Sequence, residues 1–287
     1  MEPVFNKLET TRYGPFLYNV NDRYVGKSYA AYGEWKENEV ALFRRFLREG
    51  QVALDIGANI GQHTLVFAQI VGHQGAVLAF EPQRLFFQTL CANMALNQVV
   101  RAYCRHAAVG AASGFLPVPV RVPWIENFNY SALMLNGPLE QDTEPVEVVS
   151  IDQLALCRCD FMKVETVGME REVLAGAVRT IRELRPILYV ENDVIGYASI
   201  GGNIVRGDND ARSLALIAQL QSLGYDLYWH VAPFFNPDNF KRQSVNIFGA
   251  MASVNMLGLP RERGYTGEGL EVVRPDVPRP SRPSSLG

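Results

Sequence analysis

The sequence predicts an α/β fold: a seven-stranded, mostly parallel sheet with an antiparallel last strand, helices on both faces and a short N-terminal extension. Two observations predict the sheet. Apolar runs of about five residues alternate with segments of helical periodicity, and the runs lack the polar alternation of half-exposed strands, as strands covered on both faces should. A third sets its last strand: the final two runs are joined by a loop in which no helix fits, so they must pair antiparallel.

Residues 1–33 mix aromatics with Gly14, Pro15, Asn19, Asn21 and Asp22, which predicts irregular or short-stranded structure, an extension or lid ahead of the core. From Glu34 to Arg48, Val40, Leu42, Phe43, Phe46 and Leu47 recur at helical spacing, and Gly50 is the expected left-handed stop. A strand at Val52–Ile56 leads into a helix from Ile60 to Val71. A strand at Ala76–Phe80 leads into a helix from Pro82 to Asn97, and a third strand spans Arg101–Val109. Residues 110–149 break this rhythm with Pro117, Pro119, Pro123, Pro138 and Pro145 and two β-like segments near 115–122 and 144–149, an insertion placed over the site. The alternation resumes with a strand at Phe161–Glu165, a helix at Met169–Leu184, a strand at Ile187–Glu191 and a helix at Ser213–Leu223. Strands at Tyr225–Val231 and Phe248–Val254 complete a domain of residues 34–260. Over 261–287 the Arg, Pro, Ser and Gly composition predicts a disordered tail.

Lys and Arg number 27 against 30 Asp and Glu, a net charge of −3, so no positive field is available to gather nucleic acid. No stretch has the apolar length of a membrane span, and the N-terminus lacks a basic segment followed by an apolar run, so a soluble, cytoplasmic protein is expected. Cys91, Cys104, Cys157 and Cys159 fit neither a disulfide framework nor a zinc knuckle. They read as reduced packing residues, with no metal expected.

Asp55-Ile56-Gly57-Ala58-Asn59-Ile60-Gly61 lies between a strand and a helix, where an open α/β sheet presents its ligand crevice. The glycines permit a sharp turn and close approach of backbone to ligand. The register differs from the G-x-G-x-x-G fingerprint that cradles a pyrophosphate, and Asp55 would repel one, which disfavours a nicotinamide-dependent oxidoreductase. Asp55 suits instead the cationic methionine end of S-adenosylmethionine. Glu81, in Phe80-Glu81-Pro82, follows the second strand where a carboxylate accepts both ribose hydroxyls. His106 and Ala107 are placed to flank the adenine. A seven-stranded layout ending in an antiparallel hairpin is that of the Rossmann-like methyltransferases.

With these residues in place, the chain resembles the FkbM-type methyltransferases. The likeness runs through the loop 55–61 and Phe80-Glu81-Pro82 to Lys163-Val164-Glu165-Thr166-Val167-Gly168-Met169-Glu170-Arg171-Glu172-Val173-Leu174, and covers residues 34–257. The resemblance implies S-adenosylmethionine as methyl donor, with O-methylation of a sugar, glycan unit or secondary metabolite. The family's segment reads K-I-D-V-E-G, so Glu165 stands for Asp, Thr166 for Val and Val167 for Glu. Val167 implies either an altered acceptor or reduced activity, and a non-catalytic module binding the donor or its spent form is the competing reading.

Transfer to a hydroxyl requires alignment with the methyl group and removal of a proton. Lys163 and Glu165 share one face of their strand and are expected to pair. Glu165 or Glu191 is the expected base, with His230 as a further candidate, and a structural ion pair is the competing role. Trp229, Asn236, Asn239 and Asn255 are candidate acceptor-binding residues. Trp124, Tyr130, Phe234 and Phe235 either wall an acceptor or fill core. His63, on the helix after the glycine loop, is a further candidate base, with a surface or packing role as the reading its position favours. Neither the acceptor nor the oligomeric state is readable.

Overall fold

The computed structural model describes residues 4–131, 142–192, 206–278 and 280. It opens with an antiparallel hairpin of β1 (Asn6–Thr11) and β2 (Gly14–Asn19), followed by α1 (Val25–Tyr32). Asp22 Oδ1 starts α1 by accepting the amides of Tyr24, Val25 and Gly26 at 2.8, 2.6 and 3.2 Å, donors a helix start leaves without partners. Phe16, Tyr18, Tyr29 and Tyr32 from this extension bury against Leu65, Leu90 and Met94 of the core.

In α2 (Glu37–Phe46) the buried Val40, Leu42 and Phe43 form the predicted stripe. The helix stops earlier than Gly50 suggests: Leu47 is already extended (φ −93°, ψ 139°), and the left-handed Gly50 (φ 76°) serves the turn into the next strand. Then follow β3 (Val52–Ile56), α3 (Gln62–Val71), β4 (Ala76–Phe80), α4 (Arg84–Leu96) and β5 (Ala102–Arg105). The third predicted strand breaks after Arg105. Ala108–Val109 (β6) leaves the main sheet for a three-stranded one, pairing parallel with β8 (Thr143–Val149), which pairs antiparallel with β7 (Gly114–Pro119). The prolines of β7 fall on its edge position in that sheet, where a missing N–H is tolerated. Pro138 lies outside the described residues.

After a 3-10 turn at Ile151–Leu154 come β9 (Phe161–Val164), α5 (Glu170–Ala175), α6 (Val178–Leu184), β10 (Ile187–Glu191), α7 (Arg206–Ser222), β11 (Tyr225–Pro233), β12 (Ala252–Pro260) and β13 (Glu271–Val272). The single helix predicted from Met169 to Leu184 is two, broken at Gly176. There the backbone runs so close to the Gly110 carbonyl that a Cβ would overlap it, and the Gly176 carbonyl accepts Ser150 Oγ and the Asp152 amide at 2.8 Å each.

Among the described residues the main sheet has eight strands in the order β13-β11-β12-β10-β9-β3-β4-β5. From β10 to β5 all neighbours are parallel, whereas β12 is antiparallel to both β10 and β11, the reversal that the helix-free loop predicts. Two expectations are corrected. The last long strand begins at Ala252 rather than Phe248, whose ring packs on Trp35 and Tyr32 instead. The eighth strand comes from the segment read as a disordered tail: β13 pairs with β11, and Val273, 3% exposed, fills the main core.

Alternation along the strands sorts side chains onto two faces. Leu54, Ile56, Met162, Val164, Leu188 and Val190 meet Val173, Leu174, Ile181, Ile217 and Leu220 from α5, α6 and α7. Ala53, Phe161, Tyr189 and Leu257 meet Val40, Phe43, Val66 and Phe67 from α2 and α3. Asp55, Lys163 and Glu165 therefore emerge on the α2 and α3 side. Among the cysteines, Cys159 is buried and Cys91 and Cys104 are half-buried, but Cys157 is exposed, unlike the packing residue expected. Among the described residues no helix is long and apolar enough to cross a membrane.

Val273→Ala is expected to lower stability by about 1–3 kcal/mol, the cost of truncating a packed core side chain. The neighbouring Val272→Ala, at a side chain 60% exposed, should stay within about 0.5 kcal/mol of the parent. Urea unfolding of both variants compares them.

Candidate functional site

The glycine loop is fixed from two sides. Gly57 (φ 79°), Asn59 (φ 54°) and Gly61 (φ 92°) take left-handed conformations that bend the chain out of β3 and into α3. A Cβ at Gly57 would fall on the Glu165 carbonyl oxygen, and one at Gly61 would meet Leu90 Cδ1 at 2.6 Å. The amides of Gly57 and Ala58 both donate to the Phe80 carbonyl at 3.0 Å. Just beyond, Glu81 is 4% exposed, and its two oxygens accept the amides of Asn59 and Gln83 at 2.8 Å each. Burial pushes its carboxyl up to about 7, against the pull of those two amides.

Loop and carboxylate border an open cleft at the C-terminal ends of β3, β4 and β9, lined by Gly57, Asn59, Glu81, Ala107, Glu165 and Val167 among others. The excursion over 110–149 reaches its rim, where Asn59 Nδ2 donates to Ser131 Oγ at 2.9 Å. Pro82 and Ala107 line the cleft; His106 does not, its Nε2 lying 3.0 Å from the Pro82 carbonyl and its ring stacked on Phe87.

Beneath the cleft lies a buried ion-pair cluster. Lys163, 1% exposed, places Nζ 2.9 Å from Asp55 Oδ1, 3.2 Å from the Gly57 carbonyl and 3.1 Å from Glu165 Oε2. Thr64 Oγ1 donates to the other Asp55 oxygen at 2.6 Å. Lys36 Nζ lies 2.5 Å from Glu165 Oε1 and 3.3 Å from Glu39 Oε1, which also accepts Ser253 Oγ at 2.5 Å and Asn255 Nδ2 at 3.1 Å. The predicted Lys163 and Glu165 pair therefore forms, inside a larger network.

This geometry changes several predicted roles. Asp55 is fully buried and bonded to Lys163 and Thr64, so its charge is spent beneath the loop and not on a ligand's ammonium group. Burial alone would raise the Glu165 carboxyl, but the ammonium groups of Lys36 and Lys163 outweigh it and hold that carboxyl well below the usual range. A carboxylate so held is a poor base. His230 donates to or accepts from the Tyr189 hydroxyl at 2.8 Å, away from the cleft lining, and burial pushes its ring down to about 4. Trp229, 3% exposed, is main-core packing.

The candidate acceptor asparagines are structural as well. Asn236 Nδ2 donates to Glu34 Oε1 at 2.8 Å, Asn239 closes the turn to Gln243, and Asn255 is buried on Glu39. Tyr130 ties its own loop through Val122 and Ile125, Phe234 and Phe235 pack on Trp35 and Tyr32, and Trp124 is partly exposed. Glu191 ends β10 one position beyond the Val190 to Val164 pairing, which sets it beside Glu165 at the C-terminal ends of these interior strands, outside the cleft lining. His63 is buried between Phe43 and Phe67, its Nε2 3.6 Å from Glu39 Oε2, and burial keeps it well below the usual imidazole range. Glu39, His63 and Glu165 bring three ligand-type atoms within 4.8 Å of one another, with Lys36 bonded to both carboxylates.

Lys36 and Glu39 were not legible as site residues. Lys36-Glu37-Asn38-Glu39 reads as the solvated start of a helix, and only the packing of α2 across the Asp55 and Lys163 face turns it inward. Val167 is unusual for another reason: it is β-branched, lines the cleft and is left-handed (φ 47°).

The Methyltransferase FkbM domain matches residues 55–227, more than half of the 287-residue chain, and so includes the loop, Glu81 and the Lys163 segment. The chain belongs to the FkbM methyltransferase family. Among solved structures, the FkbM methyltransferase of Methylobacillus flagellatus KT is 17% identical at a TM-score of 0.43, over 77% of this chain and half of that one. A SAM-dependent methyltransferase of Aquifex aeolicus is 12% identical at a TM-score of 0.42, over 82% of this chain and 93% of that one. The Aeropyrum pernix fibrillarin with natively bound S-adenosyl-L-methionine is 10% identical at 0.42, over 88% and 82%. No curated protein matches the sequence. These structural likenesses are distant, and membership of the FkbM family rests on the domain match.

Asp55→Ala is expected to cost about 3 kcal/mol, because the buried Lys163 ammonium loses one of its two carboxylate partners and must share Glu165 with Lys36. Val167→Gly should raise stability by about 1 kcal/mol, the relief of left-handed strain less the entropy glycine loses on folding. Denaturant titration of the two variants reads both.

Proposed function

We propose that this FkbM protein binds S-adenosylmethionine in the cleft and transfers its methyl group to a hydroxyl of a sugar, glycan unit or secondary metabolite. One observation carries the reading: the Glu81 carboxylate, buried at the cleft wall with its oxygens fixed by the Asn59 and Gln83 amides, faces a bend whose Gly57 has no room for a side chain. That combination fits a nucleoside that needs a diol acceptor and close backbone approach. Glu81 would hold the ribose hydroxyls, Pro82 and Ala107 would flank the base, and the loop 57–59 would take the amino-acid end.

Bound there, the donor supplies an electrophilic methyl group for in-line displacement by an acceptor oxygen. The chain contributes position and proton handling. Glu165, held ionised between two lysines at the cleft wall, accepts a hydrogen bond from a second hydroxyl of the acceptor and so orients the reacting one. Glu191, the carboxylate ending the adjacent strand, takes the hydroxyl proton. The hydroxyl acceptor class is supported by family membership and by the net charge of −3, which disfavours a polyanion.

Val167 favours the second reading, a module that binds donor or spent nucleoside without transfer, since it stands where the family carries glutamate. Incubation with methyl-labelled donor and a panel of glycans and hydroxylated metabolites separates the two: label in any acceptor sinks the non-catalytic reading.

Glu81 gives a pH test. Only the ionised carboxylate accepts from both ribose hydroxyls, and its pKa is raised to about 7, so affinity for S-adenosylhomocysteine should climb as pH rises through that value and then level off. The free protein runs the other way: a carboxyl whose folded pKa is raised costs stability as pH climbs through its folded value. Glu81→Gln should bind at least about tenfold more weakly, the loss of bonds to a charged acceptor, with a flattened profile. Calorimetry across neutral pH measures this, and a wild-type affinity independent of pH would exclude Glu81 as the ribose acceptor.

A further inference from the structure

Lys36 stands in a position that ordinary helix capping does not explain. It precedes α2 in a left-handed conformation (φ 51°) that lysine rarely adopts, and its side chain is only 6% exposed. Its Nζ lies over two aromatic rings, 5.7 Å from the Trp35 centroid and 5.8 Å from that of Phe234. It ends on Glu165 Oε1 at 2.5 Å, while Oε2 of the same carboxylate meets Lys163. Lys163 is already committed to Asp55 and to the Gly57 carbonyl, so Lys36 is the cation whose removal would leave Glu165 undercompensated.

We propose that Lys36 is a positioning residue for Glu165: it aims that carboxylate at the cleft and offsets its charge, so that the cleft binds the cationic donor without excess preference over the neutral spent nucleoside. This rests on the donor-binding reading above. The other titratable or charged groups facing Glu165 are Glu39 from α2, His63 from α3, Asp55 from β3, Lys163 from β9, and Tyr189 and Glu191 from β10. Of these only Lys163 is a second cation, since burial keeps His63 neutral. Glu39, Asp55 and Glu191 are carboxyl groups that work against ionisation of Glu165. Without Lys36, Glu165 shares one ammonium group with Asp55 and becomes easier to protonate. At neutral pH, where it stays ionised, it presents more uncompensated negative charge to the cleft.

Two readouts test this in the full chain. Carbon-13 NMR of side-chain carboxyl-labelled glutamate, with the resonance assigned by its loss in Glu165→Gln, follows Glu165 across the acid range in which the protein stays folded. Calorimetry at neutral pH gives the affinity for S-adenosylmethionine relative to S-adenosylhomocysteine. In Lys36→Met the Glu165 titration should move up by about 1–3 pH units, and the affinity ratio should rise about threefold or more in favour of the sulfonium. Lys36→Arg should restore both toward wild type. Lys36→Gln, which keeps a polar group of similar reach, is measured in parallel so that failure of one variant to fold does not decide the outcome. A titration or a ratio that is the same without the Lys36 charge as with it overturns the proposal. Wild-type protein that binds neither nucleoside overturns the donor reading itself, a distinct result because the Glu165 titration is read without ligand.

Discussion

The site is organised by one buried ammonium group. Lys163 is almost fully enclosed and an isolated charge there would be prohibitive, so its burial is tolerable only because Asp55 from the neighbouring strand β3 and Glu165 just past the end of its own strand converge on it. Because the same Nζ also reaches the Gly57 carbonyl, the shape of the glycine bend and the orientation of Glu165 are set by a single group. Lys36 and Glu39 extend the chain of alternating charge into α2. The helix that precedes the sheet is thereby tied to the residues at its centre.

This arrangement divides the acidic groups by environment. Glu165 lies among cations and is kept ionised. Glu81 has two backbone amides but no bonded cation, and burial lifts it into the neutral range. Glu39, wholly enclosed beneath Lys36, is raised by burial as well. The three glutamates are set apart by their neighbours, and of the two that line the cleft, Glu165 is the one held as an anion by lysines.

The sheet was legible in the sequence because its strands are uninterrupted apolar runs, and the loop 55–61 and Glu81 were legible because their spacing is local. The paired carboxylate and lysine of β9 followed from strand alternation. Lys36 and Glu39 were hidden in a charged stretch whose burial depends on which helix covers which face. A turn-forming asparagine and a ligand-binding one carry the same local pattern, so the sequence could not show that the side chains of Asn236, Asn239 and Asn255 are bonded to Glu34, Gln243 and Glu39. The segment after Pro260 read as tail because β13 is only two residues long and depends on Val273 entering a core formed elsewhere.

The placement of β12 between β10 and β11 has a consequence for how the chain assembles. A position inside the sheet, flanked on both sides, is filled by a segment far downstream of β10. During synthesis the partner edges of β10 and β11 stay unpaired until that segment emerges, so the nascent chain carries an open seam through the middle of its sheet. Closure of that seam joins β11 to the five parallel strands in one late, long-range step, a stage at which the open edges are exposed to mispairing with another chain.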